Sequence, residues 1–143
     1  GLVFLIIEMA LVPLLGASIW GPPRIMAAIV MGPQVLPPPA TFDLAIFAVA
    51  MIVHFSLSII YTALLGLFLR RQHVAVAGLI GAGFGLLLYL VNFFVFTGIF
   101  PWFAEARNWV SVVAHIAFGG VAGLSYVWLS TRLGERQRVR AEA

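Results

Sequence analysis

Two histidines lie inside long apolar stretches of the sequence, where water is scarce. His54 is in "MIVHFSLSIIY" and His115 is in "SVVAHIAFGG". Glu8 lies in a third apolar stretch and Asn92 in a fourth, so each stretch carries a residue that can form hydrogen bonds or exchange protons. Such groups are costly in lipid unless they are paired, and they mark helix contacts, proton relays or ligand sites. These four residues are therefore the candidate site residues.

The composition predicts that lipid surrounds these stretches. Of the 143 residues, 63% are hydrophobic and only 9% are charged, whereas soluble domains carry about 25% charged residues. The absence of cysteine excludes disulfides, thiolate metal sites and cysteine nucleophiles. The net charge of +3 comes from arginines near the predicted membrane edges. It therefore indicates topology, and we expect no nucleic-acid partner.

Four segments are apolar enough to cross a bilayer, which requires about 20 residues per helix. Backbone groups in lipid must pair within their own segment, so each segment is predicted to be a helix. The expected fold class is an all-α membrane protein, a bundle of four transmembrane helices in a single integral membrane domain, 1–143. The predicted spans are residues 2–20, 44–69, 74–100 and 109–131.

The first span is expected to be an irregular helix that is not cleaved from the protein. Pro13 lacks a backbone donor and is expected to kink this helix or break its hydrogen-bond ladder. The following sequence "LLGASIW" is a poor cleavage site, and no basic region precedes the span. We therefore expect the segment to stay in the protein as an anchor.

The loop between the first two spans, residues 21–43, is rich in proline. Pro22 favours a helix start, and Gly32 followed by Pro33 favours its end. The apolar residues between them are too few to cross a bilayer, so we predict a short interfacial helix at the outer face. This loop is either an ordered connector or a docking surface for a partner. Asp43 is placed to cap the second span.

The arginines predict the orientation of the bundle. Six of them lie in the turn between the second and third spans or after the fourth span, while the opposite side carries only Arg24 and Arg107. The positive-inside rule then places both termini in the cytoplasm. The six cytoplasmic arginines are Arg70, Arg71, Arg132, Arg136, Arg138 and Arg140.

Helical periodicity predicts that the four candidate site residues meet inside the bundle. His54 shares a helix face with Ser58 and Tyr61, and His115 shares one with Gly119 and Gly123. Polar groups on faces lined by small residues point towards neighbouring helices. At about 1.5 Å per helical residue, all four lie near the midplane or in the outer half. The predicted buried polar layer consists of Glu8, His54, Asn92 and His115.

Small residues repeat every four positions in the third and fourth spans. Ala77, Gly81 and Gly85 form one such row, and Gly119 and Gly123 form another. These faces allow two helix backbones to approach closely in lipid. We expect them to pack within this bundle, and contact with another subunit is the alternative.

The buried polar layer has three interpretations. Its members can form interhelical hydrogen bonds, each of which stabilises the bundle by about 1 kcal/mol. His54 and His115 can instead be the axial ligands of a haem b, because their helices run parallel and place both imidazoles at similar depth. Glu8 and the histidines can also line a proton or solute path, although the inner half contains few polar residues. No cofactor is favoured by the sequence, and no metal site is expected.

Two long stretches of the sequence carry a resemblance. Residues 20–61 contain the proline-rich loop and the histidine of the second span, and residues 81–120 contain "AHIAFG" in the fourth span. Together they resemble small four-span bacterial inner-membrane proteins, some of which are labelled sodium:proline symporters despite their small size. The resemblance implies a bacterial inner-membrane location and a four-helix architecture. It implies no activity and no catalytic residue.

The residues present favour a non-catalytic role. The sequence has no nucleophile–base pair, carboxylate dyad or phosphate-binding loop, so we do not expect an enzyme. We expect an accessory or structural subunit, with the lipid bilayer and other membrane subunits of a larger respiratory or photosynthetic complex as its partners. The alternatives are a single-haem b electron-transfer protein that uses His54 and His115, and a small channel or carrier.

Overall fold

The computed structural model describes residues 1–69 and 72–141, with side chains described as far as Arg132. Throughout this part of the chain the regular structure is helical, with short 3-10 turns between the longer helices. The five α-helices are α1 (Leu2–Leu11), α2 (Gly21–Met31), α3 (Leu44–Phe68), α4 (Val74–Leu90) and α5 (Trp109–Ala141).

Within residues 1–69 and 72–141, three helical segments are long and apolar enough to cross a membrane. They are Leu44–Phe68, Val74–Gly98 and Trp109–Arg132, and they agree with the second, third and fourth predicted spans to within two residues at their ends. The predicted cap of α3 is confirmed. The Asp43 carboxylate accepts a hydrogen bond from the Ile46 backbone N–H at 3.0 Å, which satisfies one of the free donors of the first helical turn.

The first apolar segment is shorter than the sequence prediction of residues 2–20. Helix α1 passes into a 3-10 turn, Val12–Leu15, which contains Pro13. Gly16 then ends the helix with a φ of 73°, a left-handed conformation that glycine adopts without a steric penalty. The apolar helix Leu2–Leu15 extends about 20 Å, which is less than the hydrocarbon core of about 30 Å.

Helix α2 packs against α3 through its small side chains. Ala27 and Ala28 are buried against Ala50 of α3 and Val35 of the following turn. The helix ends at Gly32, which has a φ of 86°, close to the end that the sequence predicted. The alanine face of α2 is thus used for packing inside the chain, and a partner at this loop stays a prediction.

Arg24 connects the rest of this loop to α2 by hydrogen bonds. Its Nη1 donates to the Val35 carbonyl oxygen at 2.6 Å. Its Nε and Nη2 donate to the Thr41 carbonyl oxygen at 3.1 and 3.0 Å. One guanidinium therefore satisfies backbone acceptors at both ends of the segment that connects α2 to α3, a use that the sequence analysis did not foresee.

Helices α4 and α5 approach each other closely through their glycines. A Cβ atom added to Gly81 would collide with the carbonyl oxygen of Gly119, and one added to Gly85 would collide with that of His115. The small-residue rows therefore pack against each other within the chain, as the first of the two interpretations predicted. This contact also fixes the height of His115 relative to α4.

After α4 the helix changes from α to π geometry near the candidate site. Residues Val91–Val95 form a π-helical turn, a feature that often accompanies functional positions. Arg107 stabilises this turn, because its Nε donates to the Phe93 carbonyl oxygen at 2.6 Å and its guanidinium lies 4.6 Å from the Phe94 ring. Asn92, the candidate residue of this span, belongs to the π turn.

The predicted orientation depends partly on residues whose placement is not described. Arg70 and Arg71 lie outside the described residues, as do the side chains of Arg136, Arg138 and Arg140. The assignment of both termini to the cytoplasm therefore stays a prediction from the sequence.

Candidate functional site

Among the described side chains, four polar ones are buried in the bundle. Glu8, His54 and His115 are between 4% and 5% exposed, and Ser111 is 2% exposed. They come from α1, α3 and α5, and Asn92 of the π turn lies half-buried beside them. Both predicted histidines thus lie inside the bundle, together with a serine that sequence reasoning had not selected.

A chain of hydrogen bonds joins three spans at the level of His115. The Tyr61 hydroxyl donates to Asn92 Oδ1 at 3.4 Å, and Asn92 Nδ2 donates to His115 Nε2 at 3.2 Å. His115 Nδ1 lies 2.7 Å from the Ser111 carbonyl oxygen. A carbonyl can only accept and an amide nitrogen can only donate. The geometry therefore assigns the proton of a neutral His115 to Nδ1.

His54 belongs to a separate part of the layer. Its Nε2 lies 3.0 Å from the Gly1 carbonyl oxygen, so Nε2 carries the proton and Nδ1 is left as an acceptor. The Phe4 ring contacts both imidazoles, with centroid distances of 5.4 Å to His54 and 4.8 Å to His115. Phe4 was not predicted, although its spacing of four residues from Glu8 places both on one face of α1.

The structure places the Glu8 carboxyl group against α5. Its polar neighbour is the Ser111 side chain, and no charged side chain was found to interact with it among the described residues. Among the described residues Glu8 forms no hydrogen bond with Asn92 or His115, so the layer consists of neighbouring polar groups rather than one closed network.

The arrangement of the two histidines bears on the haem alternative. Axial imidazoles must face each other across an iron atom, each with one ring nitrogen available as a ligand. Both ring nitrogens of His115 are engaged in hydrogen bonds, and the Phe4 ring contacts both imidazoles. The residues do not fit a haem as they stand. Iron binding would require Phe4 to move and either Asn92 or the Ser111 carbonyl to be displaced.

A cavity of about 580 Å³ reaches the buried polar groups. It extends from exposed residues at the ends of the helices, among them Ser18 and Glu105, to Glu8 and His54. Its size lies within the range of about 300–1,000 Å³ that is typical of small-molecule sites. Most of its lining is apolar, as expected for a site that holds a hydrophobic body and orients it with a few polar groups.

Aromatic side chains form much of the apolar wall. Several come from the π turn of α4 and the loop that follows it, and others come from α1 and α5. The cavity could not be predicted from the sequence, because helical periodicity does not determine the positions of the loop residues that complete its wall. The six phenylalanines that line it are Phe4, Phe93, Phe96, Phe100, Phe103 and Phe118.

Comparison with known proteins adds no assignment to this site, since no protein-family model, curated protein or solved structure matches the chain. The resemblance to small four-span bacterial proteins therefore stays an expectation from the sequence. Within the described residues, no group of three histidine, aspartate or glutamate side chains could hold a metal ion.

Proposed function

We propose that this chain is a four-span, non-catalytic protein of the bacterial inner membrane, with both termini in the cytoplasm and α2 at the outer membrane surface. Its cavity binds a small membrane-soluble molecule that has an apolar body and a polar or charged group. The observation that carries this proposal is the placement of buried polar side chains at the inner end of a largely apolar cavity.

The position of α1 supports the four-span arrangement. Phe4 contacts rings of both α3 and α5, and Glu8 is buried against α5. Helix α1 therefore packs beside the long helices, which is the position that a fourth span would occupy. A short span of this kind is tolerated when the bilayer thins locally or when flanking residues reach the interface.

Binding can be measured with a neutral probe, triphenylphosphine oxide, which has an apolar body and one oxygen that accepts hydrogen bonds. We expect Ile29→Trp, which enlarges a side chain in the cavity wall, to weaken binding at least about tenfold because overpacking a filled site is unfavourable. The measurement is ³¹P NMR titration of the protein in nanodiscs, with empty nanodiscs subtracted.

A matched control separates the cavity from the lipid-facing surface. Ile52→Trp makes the same substitution at a position of α3 that is 68% exposed, and it should leave the affinity unchanged. If the probe does not bind above the level of empty nanodiscs, or if both variants bind like the wild type, the proposed cavity function is wrong.

A second candidate function, an accessory subunit of a larger membrane complex, is favoured by the exposure of α3. Of the most apolar 18 residues of this helix, 11% are buried inside the chain, against 44% for α5. A span with so little intramolecular packing offers a long face for another transmembrane helix. In this role α3 would be the contact surface.

Site-specific cross-linking tests the accessory role, and the absence of cysteine makes single-cysteine variants simple to prepare. Ile59→Cys, labelled with a photoreactive group in native membranes, is expected to give one adduct of discrete mass. Leu79→Cys on α4 is the control, because its exposure of 74% is close to the 70% of Ile59. If the two labelled variants give the same amount of protein adduct, or if neither gives any, the accessory-subunit function is contradicted.

A further inference from the structure

Among the described residues, no charged side chain compensates the carboxyl group of Glu8. Glu8 is 4% exposed and lines the cavity, and among the described residues its polar neighbour is the Ser111 hydroxyl. A carboxylate in the membrane interior costs several kcal/mol unless it is paired. A cationic molecule in the cavity would supply the missing charge at the position where the carboxyl group meets open space.

The phenylalanine rings of the wall favour the same kind of ligand. The negative face of an aromatic ring attracts an organic cation, most strongly where water is excluded. Phe4 lies one helical turn from Glu8 and also lines the cavity, so the carboxyl group and an aromatic ring are presented from the same face of α1. The other rings provide the apolar surface that a lipophilic cation requires.

The remaining charged groups of the cavity are compatible with a cation. Arg24 also lines it, but its guanidinium donates to the Val35 and Thr41 carbonyl oxygens. Glu105 adds a second carboxyl group near the exposed end. The hydrogen bonds of His115 assign a neutral imidazole. The described lining thus carries two carboxyl groups and one guanidinium.

We propose that the cavity binds a lipophilic organic cation, with the Glu8 carboxylate as its counter-ion and the surrounding phenylalanine rings in contact with its apolar groups. The proposal rests on the cavity-binding function above and names the chemical class of its ligand. It assigns to Glu8 a role in ligand recognition, in place of the interhelical contact or proton path considered from the sequence.

The experiment compares tetraphenylphosphonium with neutral triphenylphosphine oxide, two probes of related shape that differ in charge. Both are titrated by ³¹P NMR against the full chain in nanodiscs. Glu8→Gln should weaken tetraphenylphosphonium binding about 100-fold, because a buried cation would lose its partner, and should leave the affinity for the neutral probe unchanged. Asp43→Asn, which removes one acidic charge outside the cavity lining, should bind both probes like the wild type.

The outcomes separate the two proposals. Selective loss of the cationic probe in Glu8→Gln, with partial recovery in Glu8→Asp, supports the inference. If the protein binds the neutral probe, but Glu8→Gln leaves the affinity for the cation unchanged or lowers the affinity for both probes equally, the cation assignment is wrong and the cavity function stands. If the neutral probe does not bind the wild type, the cavity function is wrong, and the cation assignment that rests on it fails as well.

Discussion

Replacing Gly81 with alanine is expected to destabilise the α4–α5 pair by about 3 kcal/mol, the upper end of the usual cost of overpacking. The added Cβ would collide with the Gly119 carbonyl oxygen. Because that obstacle is helix backbone rather than a flexible side chain, the two helices must separate to accommodate it. The Asn92–His115 hydrogen bond, which joins the same two spans, should weaken as a result.

The neighbouring glycine provides an internal control for this prediction. A Cβ at Gly83 would meet nothing within 4 Å, so Gly83→Ala should not disturb the helix pair. Alanine is also the better helix former. Reversible unfolding in mixed detergent and SDS would measure both free energies of unfolding. Equal stability of the two variants would show that close backbone contact does not hold α4 and α5 together.

Arg24→Lys is expected to release the segment between α2 and α3, at a cost of about 2 kcal/mol in its local stability. The guanidinium donates three hydrogen bonds to two separate carbonyl oxygens, those of Val35 and Thr41. A lysine keeps the charge but has a single donor nitrogen on a flexible stem, and it cannot reproduce this planar geometry. Hydrogen exchange of residues 35–41 should therefore become faster.

The same substitution elsewhere shows whether the effect is local. Arg107→Lys also removes a guanidinium that donates to a backbone carbonyl, but it does so at the π turn near Phe93. It should leave the exchange of residues 35–41 unchanged. If Arg24→Lys and Arg107→Lys alter this segment equally, or neither does, the assignment of Arg24 as its fastening residue is wrong.

Much of the fold could be predicted because the relevant signals are local. Long apolar runs define the three spans, Asp43 marks the start of α3, and the Pro22 and Gly32 signals bracket α2. The four-residue glycine spacing predicted the α4–α5 contact, because in a helix such spacing places all members on one face.

The candidate site was harder to predict because it depends on distant parts of the chain. Periodicity placed His54 and His115 inside the bundle, and the structure agrees. It could not indicate that Phe4 would contact both imidazoles or that Ser111 would be the neighbour of Glu8. The cavity depends on how two irregular loops pack, and loop positions are set by contacts such as those of Arg24 rather than by a repeating pattern.

The contact of Phe4 with both imidazoles affects proton transfer between them. Its ring has no group that can accept and release a proton, so it cannot relay a proton between His54 and His115 where it contacts them. The Tyr61–Asn92–His115 series is thereby kept from direct exchange with His54 across this ring. In this conformation a proton cannot pass from one imidazole to the other through the Phe4 ring, and transfer at this point would require the benzyl group to swing aside.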